Sequence, residues 1–187
     1  MLRSAFLAAA VAALAAAPIL AQASPASDLN QAWRSFGKVK SYHADVKTAN
    51  NRNISMDFIV PDKMHLTMPE GMQMIRIDSN VWVYREGSWM KLPVAMPQMG
   101  AMTDSARTMG MNGKPDDYSI TYLGPAVVNG TAAQHYRVAR KDNSTKPVEI
   151  WIGANHLPLQ IATQGDNGQT TVLYSNYNAV PDITPPM

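Results

Sequence analysis

The chain contains no cysteine. That excludes disulfides, thiolate metal sites, a cysteine nucleophile and a lipid-modified cysteine at a processed N-terminus. It is also short of net charge: 16 basic against 14 acidic residues in 187 leave +2. No stretch forms a basic patch, which argues against a nucleic-acid partner. Phosphate-cradling glycine loops and a G-x-S-x-G elbow are missing as well. His43, His65, His135 and His156 lie far apart, with no partner at metal-ligand spacing along the chain. Asp116 and Asp117 are adjacent, and neighbours on a strand point to opposite faces, so they make a poor acid–base pair. These absences point to a binding protein rather than an enzyme, with no cofactor.

What is present begins with a leader. Residues 1–23 combine Arg3, an Ala- and Leu-rich run from Ala5 to Leu20, and Ala21-Gln22-Ala23. That is the pattern of a secretory signal peptide, and the run is too short and alanine-rich for a good membrane span. The expectation is a mature chain from about Ser24, periplasmic and not integral to the membrane. Ser24-Pro25 or Ser27-Asp28 can cap a helix in which Leu29, Ala32, Trp33 and Phe36 recur at helical spacing. Gly37 is a plausible stop.

From Ser41 the apolar period changes to two. Ser41–Thr48 and Asn53–Val60 read as strands, and Val60–Pro93 as four more, punctuated by Pro61-Asp62, Pro69-Glu70-Gly71, Asp78-Ser79-Asn80 and Glu86-Gly87. Ile54, Met56 and Phe58 share a face, as do Met64, Leu66 and Met68. Strands resume at Tyr118, with Asn129-Gly130 and Asp166-Asn167-Gly168 as hairpin turns. The count is about 11 strands with short connections, hence a mostly β, single-domain chain over 24–187. A sheet of that size, curling around an apolar helix, makes an incomplete antiparallel barrel with an internal cavity.

Ten of the 13 methionines fall within Met64–Met111. Between Pro93 and Pro115, Met96, Met99 and Met102 recur every third residue, followed by Met109 and Met111. This stretch is rich in glycine and proline and reads as a loop with a short helix, a lid over the mouth of the sheet. Soft thioethers select Cu(I), so a periplasmic Cu(I)-binding protein using residues 96–111 is one alternative. A structural or interaction module of the envelope is another. Methionine also fills irregular apolar space and adapts to flexible ligands.

Several stretches occur in a telling order: S-Y-H-A-D-V from Ser41, V-P-D-K-M-H-L from Val60, W-V-Y and G-S-W-M-K-L-P up to Pro93, and V-E-I-W-I-G-A-N-H-L-P-L-Q-I from Val148, with L-Y-S-N-Y-N-A-V-P-D-I-T-P-P near the end. Together they resemble the LolA-type periplasmic outer-membrane lipoprotein carrier superfamily. The resemblance implies an unclosed β-barrel lidded by helices, a cavity for lipid or lipoprotein acyl chains, and lipoprotein-transfer proteins of the envelope as partners. It also implies an arginine that holds the lid, for which Arg52 and Arg76 are the candidates. The expected lining is Ile54, Met56, Phe58, Met64, Leu66, Met68, Ile75 and Ile77, with Met96, Met99 and Met102 in the lid.

Overall fold

The computed structural model describes residues 24–50, 52–93, 115–166 and 168–187. The expected leader and the Met96–Met111 lid lie outside the described residues.

One helix, α1 (Pro25–Phe36), opens the fold. Ser24 caps it: its Oγ accepts the Ser27 N–H at 3.2 Å, and Pro25 occupies a first-turn position where no amide donor is needed. Asp28 in the first turn and Arg34 in the last complement the helix dipole. Leu29, Ala32 and Phe36, three and four residues apart, are buried. Burying Leu29 and Phe36 contributes about 1.5–3 kcal/mol each.

Eleven strands follow. The first six are β1 (Ser41–Thr48), β2 (Ile54–Ile59), β3 (Lys63–Thr67), β4 (Gln73–Ile77), β5 (Asn80–Arg85) and β6 (Ser88–Lys91). The rest are β7 (Tyr118–Val128), β8 (Thr131–Arg140), β9 (Val148–Gly153), β10 (Pro158–Gly165) and β11 (Gly168–Ser175). They form one sheet in the order β6-β5-β4-β3-β2-β1-β11-β10-β9-β8-β7, and every neighbouring pair is antiparallel. The chain starts in the middle, steps outward to β6, crosses to the opposite edge at β7 and steps back to pair β11 with β1. Edges β6 and β7 do not pair, so the barrel is unclosed.

The sequence reads as two strands here, Tyr118–Leu123 and Ala126–Val128, whereas the structure runs β7 unbroken through Gly124-Pro125. A register shift between Tyr122 and Gly124 absorbs the irregularity. Proline is tolerated there because β7 is an edge strand with a bulge. Asn129 and Gly130 both take positive φ, 47° and 80°, which the two-residue β7–β8 turn requires.

Pairing defines two faces. On the inner face Ala44, Met56, Leu66 and Met74 lie in one cross-strand row, and Tyr42, Phe58, Met64 and Arg76 in the next. Tyr174, Ile161, Ile150, Tyr136 and Val138 continue this face on the other half of the sheet, and α1 packs against it. The outer face carries His43, Asp57, His65, Ile75 and Trp82 in one row.

Candidate functional site

Helix α1 meets two different surroundings along its length. At its C-terminal end Phe36 packs against Tyr42, Tyr174 and Tyr177, with centroids 5.2, 5.8 and 6.3 Å away. Tyr42 stacks on Phe58 at 4.8 Å. The chain after β11 closes this end. Asn178 N–H donates to the Ser41 carbonyl at 2.7 Å, the Tyr177 hydroxyl donates to the Pro158 carbonyl at 2.5 Å, and Ile183 is buried. Lys63 pairs with Asp182 at 2.5 Å. Burial pushes the Tyr174 and Tyr177 hydroxyls far above the usual phenol range, so both stay neutral. This end is a filled aromatic core.

The N-terminal end of α1 stands over open space. A cavity of about 520 Å³ lies between the helix and the start of the β7–β8 hairpin. Its apolar wall is Leu29 and Trp33 from α1 with Tyr118, Ile120 and Val138 from the sheet. Ser24, Asn30, Asp116 and Lys141 add polar groups. The volume falls within the range typical of small-ligand pockets. The Tyr136 hydroxyl donates to Asp28 Oδ2 at 2.9 Å and ties the helix to β8. Burial first, then that hydrogen bond and the Asp28 charge, push the Tyr136 hydroxyl far above its ordinary value, so it remains a donor.

The residues expected from sequence to line a cavity go elsewhere. Phe58, Met64 and Leu66 are buried in the core, and Ile54, Met56 and Met68 pack half-buried against it. Ile75 and Ile77 lie on the opposite face: Ile75 pairs with His65 and Trp82, and Ile77 with Lys63 and Asn80. None of these eight lines the cavity under α1. Met96, Met99 and Met102 lie outside the described residues. Of the two candidate lid arginines, Arg52 is exposed, and Arg76 Nε donates to the Asp78 carbonyl at 3.0 Å. Leu29 and Trp33, which the sequence places on the apolar face of a helix, border this cavity, and Ile120, which the sequence does not single out, stands opposite them on β7.

The histidines have partners that chain spacing hid. His43 Nδ1 lies 2.7 Å from Asp57 Oδ1, while Nε2 lies 3.2 Å from Asp45 Oδ1 and 3.3 Å from Ser55 Oγ. Ser55–His43–Asp57 has the connectivity of a nucleophilic triad. The arrangement departs from a triad in one respect: a second carboxylate, Asp45, also lies against Nε2, the atom that would have to accept the serine proton. Burial alone would lower the ring's pKa. The Asp57 hydrogen bond and the two carboxylate charges outweigh it and raise the value above 6.5. On the far half of the sheet, His135 Nε2 lies 3.0 Å from Glu149, which also accepts from Arg137 at 2.8 Å. The Arg137 bond leads in holding the Glu149 carboxyl below its usual range, against burial and with help from His135. Among the described residues no group of three or more His, Asp or Glu could hold a metal ion. Nor is any described helix long and apolar enough to cross a membrane.

No family model and no curated protein matches this sequence. Among solved structures, the lipoprotein LppX of Mycobacterium tuberculosis matches with a TM-score of 0.64 and 14% identity, covering 86% of this chain and 98% of that one. LprF from Mycobacterium bovis matches with a TM-score of 0.67 and 12% identity, covering 87% and 96%. A LolA superfamily protein, NE2245 from Nitrosomonas europaea, also matches, with a TM-score of 0.33 and 11% identity over 84% and 94%. The likeness to LppX and LprF is one of fold. The unclosed barrel implied by the sequence resemblance is the fold of this chain.

Proposed function

We propose that this protein binds the acyl chain of a lipid or lipid-modified protein in the cavity under α1, and carries it without transforming it. One observation supports this above the others: a roomy cavity under α1 walled by the apolar side chains of Leu29, Trp33, Tyr118, Ile120 and Val138. The driving force is burial. Each methylene removed from water contributes about 0.8 kcal/mol, so a chain of about a dozen carbons brings roughly 10 kcal/mol before ordering costs. The leader pattern of residues 1–23 supports a periplasmic setting, where envelope lipoprotein-transfer proteins would be the partners.

Tryptophan fluorescence tests this reading. Trp33 lines the cavity, while Trp82, Trp89 and Trp151 sit on the outer face. A dansyl-labelled fatty acid should bind the wild type and draw energy transfer mainly from Trp33. Trp33→Phe should remove most of that transfer while polarisation still reports binding. Ile120→Glu should lower affinity at least tenfold with the far-ultraviolet circular dichroism unchanged, because a carboxylate in an apolar wall is costly to bury. Failure of the wild type to bind any acyl probe would overturn the proposal.

A further inference from the structure

The polar rim of the cavity distinguishes among amphiphiles. Asp116 lies two residues before β7 and Lys141 immediately follows β8, and Tyr118 pairs with Arg140 between them. Both rim residues therefore stand at one end of the hairpin, where the Lys141 N–H donates to the Asp117 carbonyl at 2.9 Å. Both side chains are exposed and both border the cavity. Among the described residues, neither side chain forms an ion pair, with the other or with anything else. Nearby charges are already matched. Arg140 grips Asp142 through two bonds of 3.2 and 3.1 Å, and Lys146 pairs with Asp166 at 2.5 Å. An ammonium and a carboxylate are thus left facing the same cavity mouth, close in the fold but not neutralising each other.

Resting on the acyl-chain reading above, we infer that the occupant's headgroup is zwitterionic: a phosphate set by Lys141 and an amine set by Asp116, as in an aminophospholipid. A purely anionic headgroup would gain Lys141 but meet repulsion from Asp116. A neutral one would leave both charges desolvated at the rim without partners. The zwitterion satisfies both, and Asn30 and the Ser24 hydroxyl add neutral hydrogen-bonding groups beside it.

The test is displacement of the dansyl fatty acid by short, monomeric lipids: dihexanoyl phosphatidylethanolamine, dihexanoyl phosphatidylglycerol and dihexanoylglycerol. The wild type should prefer the ethanolamine lipid to the glycerol lipid by about tenfold at low salt. Asp116→Lys should reverse that preference. Lys141→Glu should weaken both phospholipids and leave dihexanoylglycerol unaffected. The double variant Asp116→Lys/Lys141→Glu should restore the ethanolamine preference, which a merely structural role for either residue would not produce. Equal displacement by all three lipids, unchanged by the single charge reversals, would overturn the headgroup inference while the acyl reading stood. A probe that never binds would overturn both.

Discussion

His43 shows how little chain spacing reveals about electrostatics. Asp45 is two positions away, but Asp57 and Ser55 arrive only through the β1–β2 register, and Asp57 pairs in turn with His65 on β3. The hydrogen bond and the carboxylate charges outweigh burial and raise the folded pKa above the unfolded value. Such a group adds stability that is fully present below the unfolded value of about 6.5 and disappears as pH rises through the raised folded value. The thermal midpoint of the wild type should therefore fall on going from pH 6 to pH 8. In His43→Gln that component should be absent, so the difference between the two melting profiles isolates it. Parallel profiles for the two proteins would show that the ring contributes no such linkage.

Helix α1 is the element that divides the inner face. Its twelve residues present one apolar stripe, but only the Phe36 end meets aromatic rings large enough to fill the space below. Core and cavity should accordingly separate by mutation. Phe58→Ala removes the ring stacked on Tyr42 and should destabilise the fold by about 3–5 kcal/mol in urea titration, leaving the acyl affinity of folded protein near that of the wild type. An unchanged unfolding midpoint combined with lost binding would place Phe58 in the site instead. Strand β4 shows a different tension at the same scale. Hydrophobicity alone puts Ile75 and Ile77 inside and Arg76 outside. The register across the Met68–Gln73 turn does the reverse, because Thr67 pairs with Gln73 and Leu66 with Met74. A one-residue difference in register exchanges every side chain between faces. Arg76 tolerates its inner position at the sheet's margin by donating to Asp78, and Ile75 is covered on the outer face between His65 and Trp82.

At the scale of the molecule, a sheet whose edges never meet must be closed by something other than strand pairing. The C-terminal residues do this at one end, binding Ser41 and Lys63 and burying Ile183. Deleting residues 178–187 should lower stability by about 3–5 kcal/mol through lost apolar burial and backbone hydrogen bonds, with the exposed Lys63–Asp182 pair contributing little. Acyl binding should persist at temperatures where the shortened chain remains folded; its loss there would mean that the tail shapes the cavity. By itself the sequence determined the succession of strands along the chain, the turns, the helix and its cap, because alternation, Asn-Gly chemistry and Ser24-Pro25 capping act over a few residues, whereas the pairing of β1 with β11 joins distant residues. It marked the inner side of β2 and β3 for the same reason. Only the tertiary structure decided where the inner face stays open, which isoleucines leave it, and which carboxylates reach His43. Those outcomes depend on cross-strand register, on the placement of α1 and on the C-terminal tail, and all three join residues far apart in the chain.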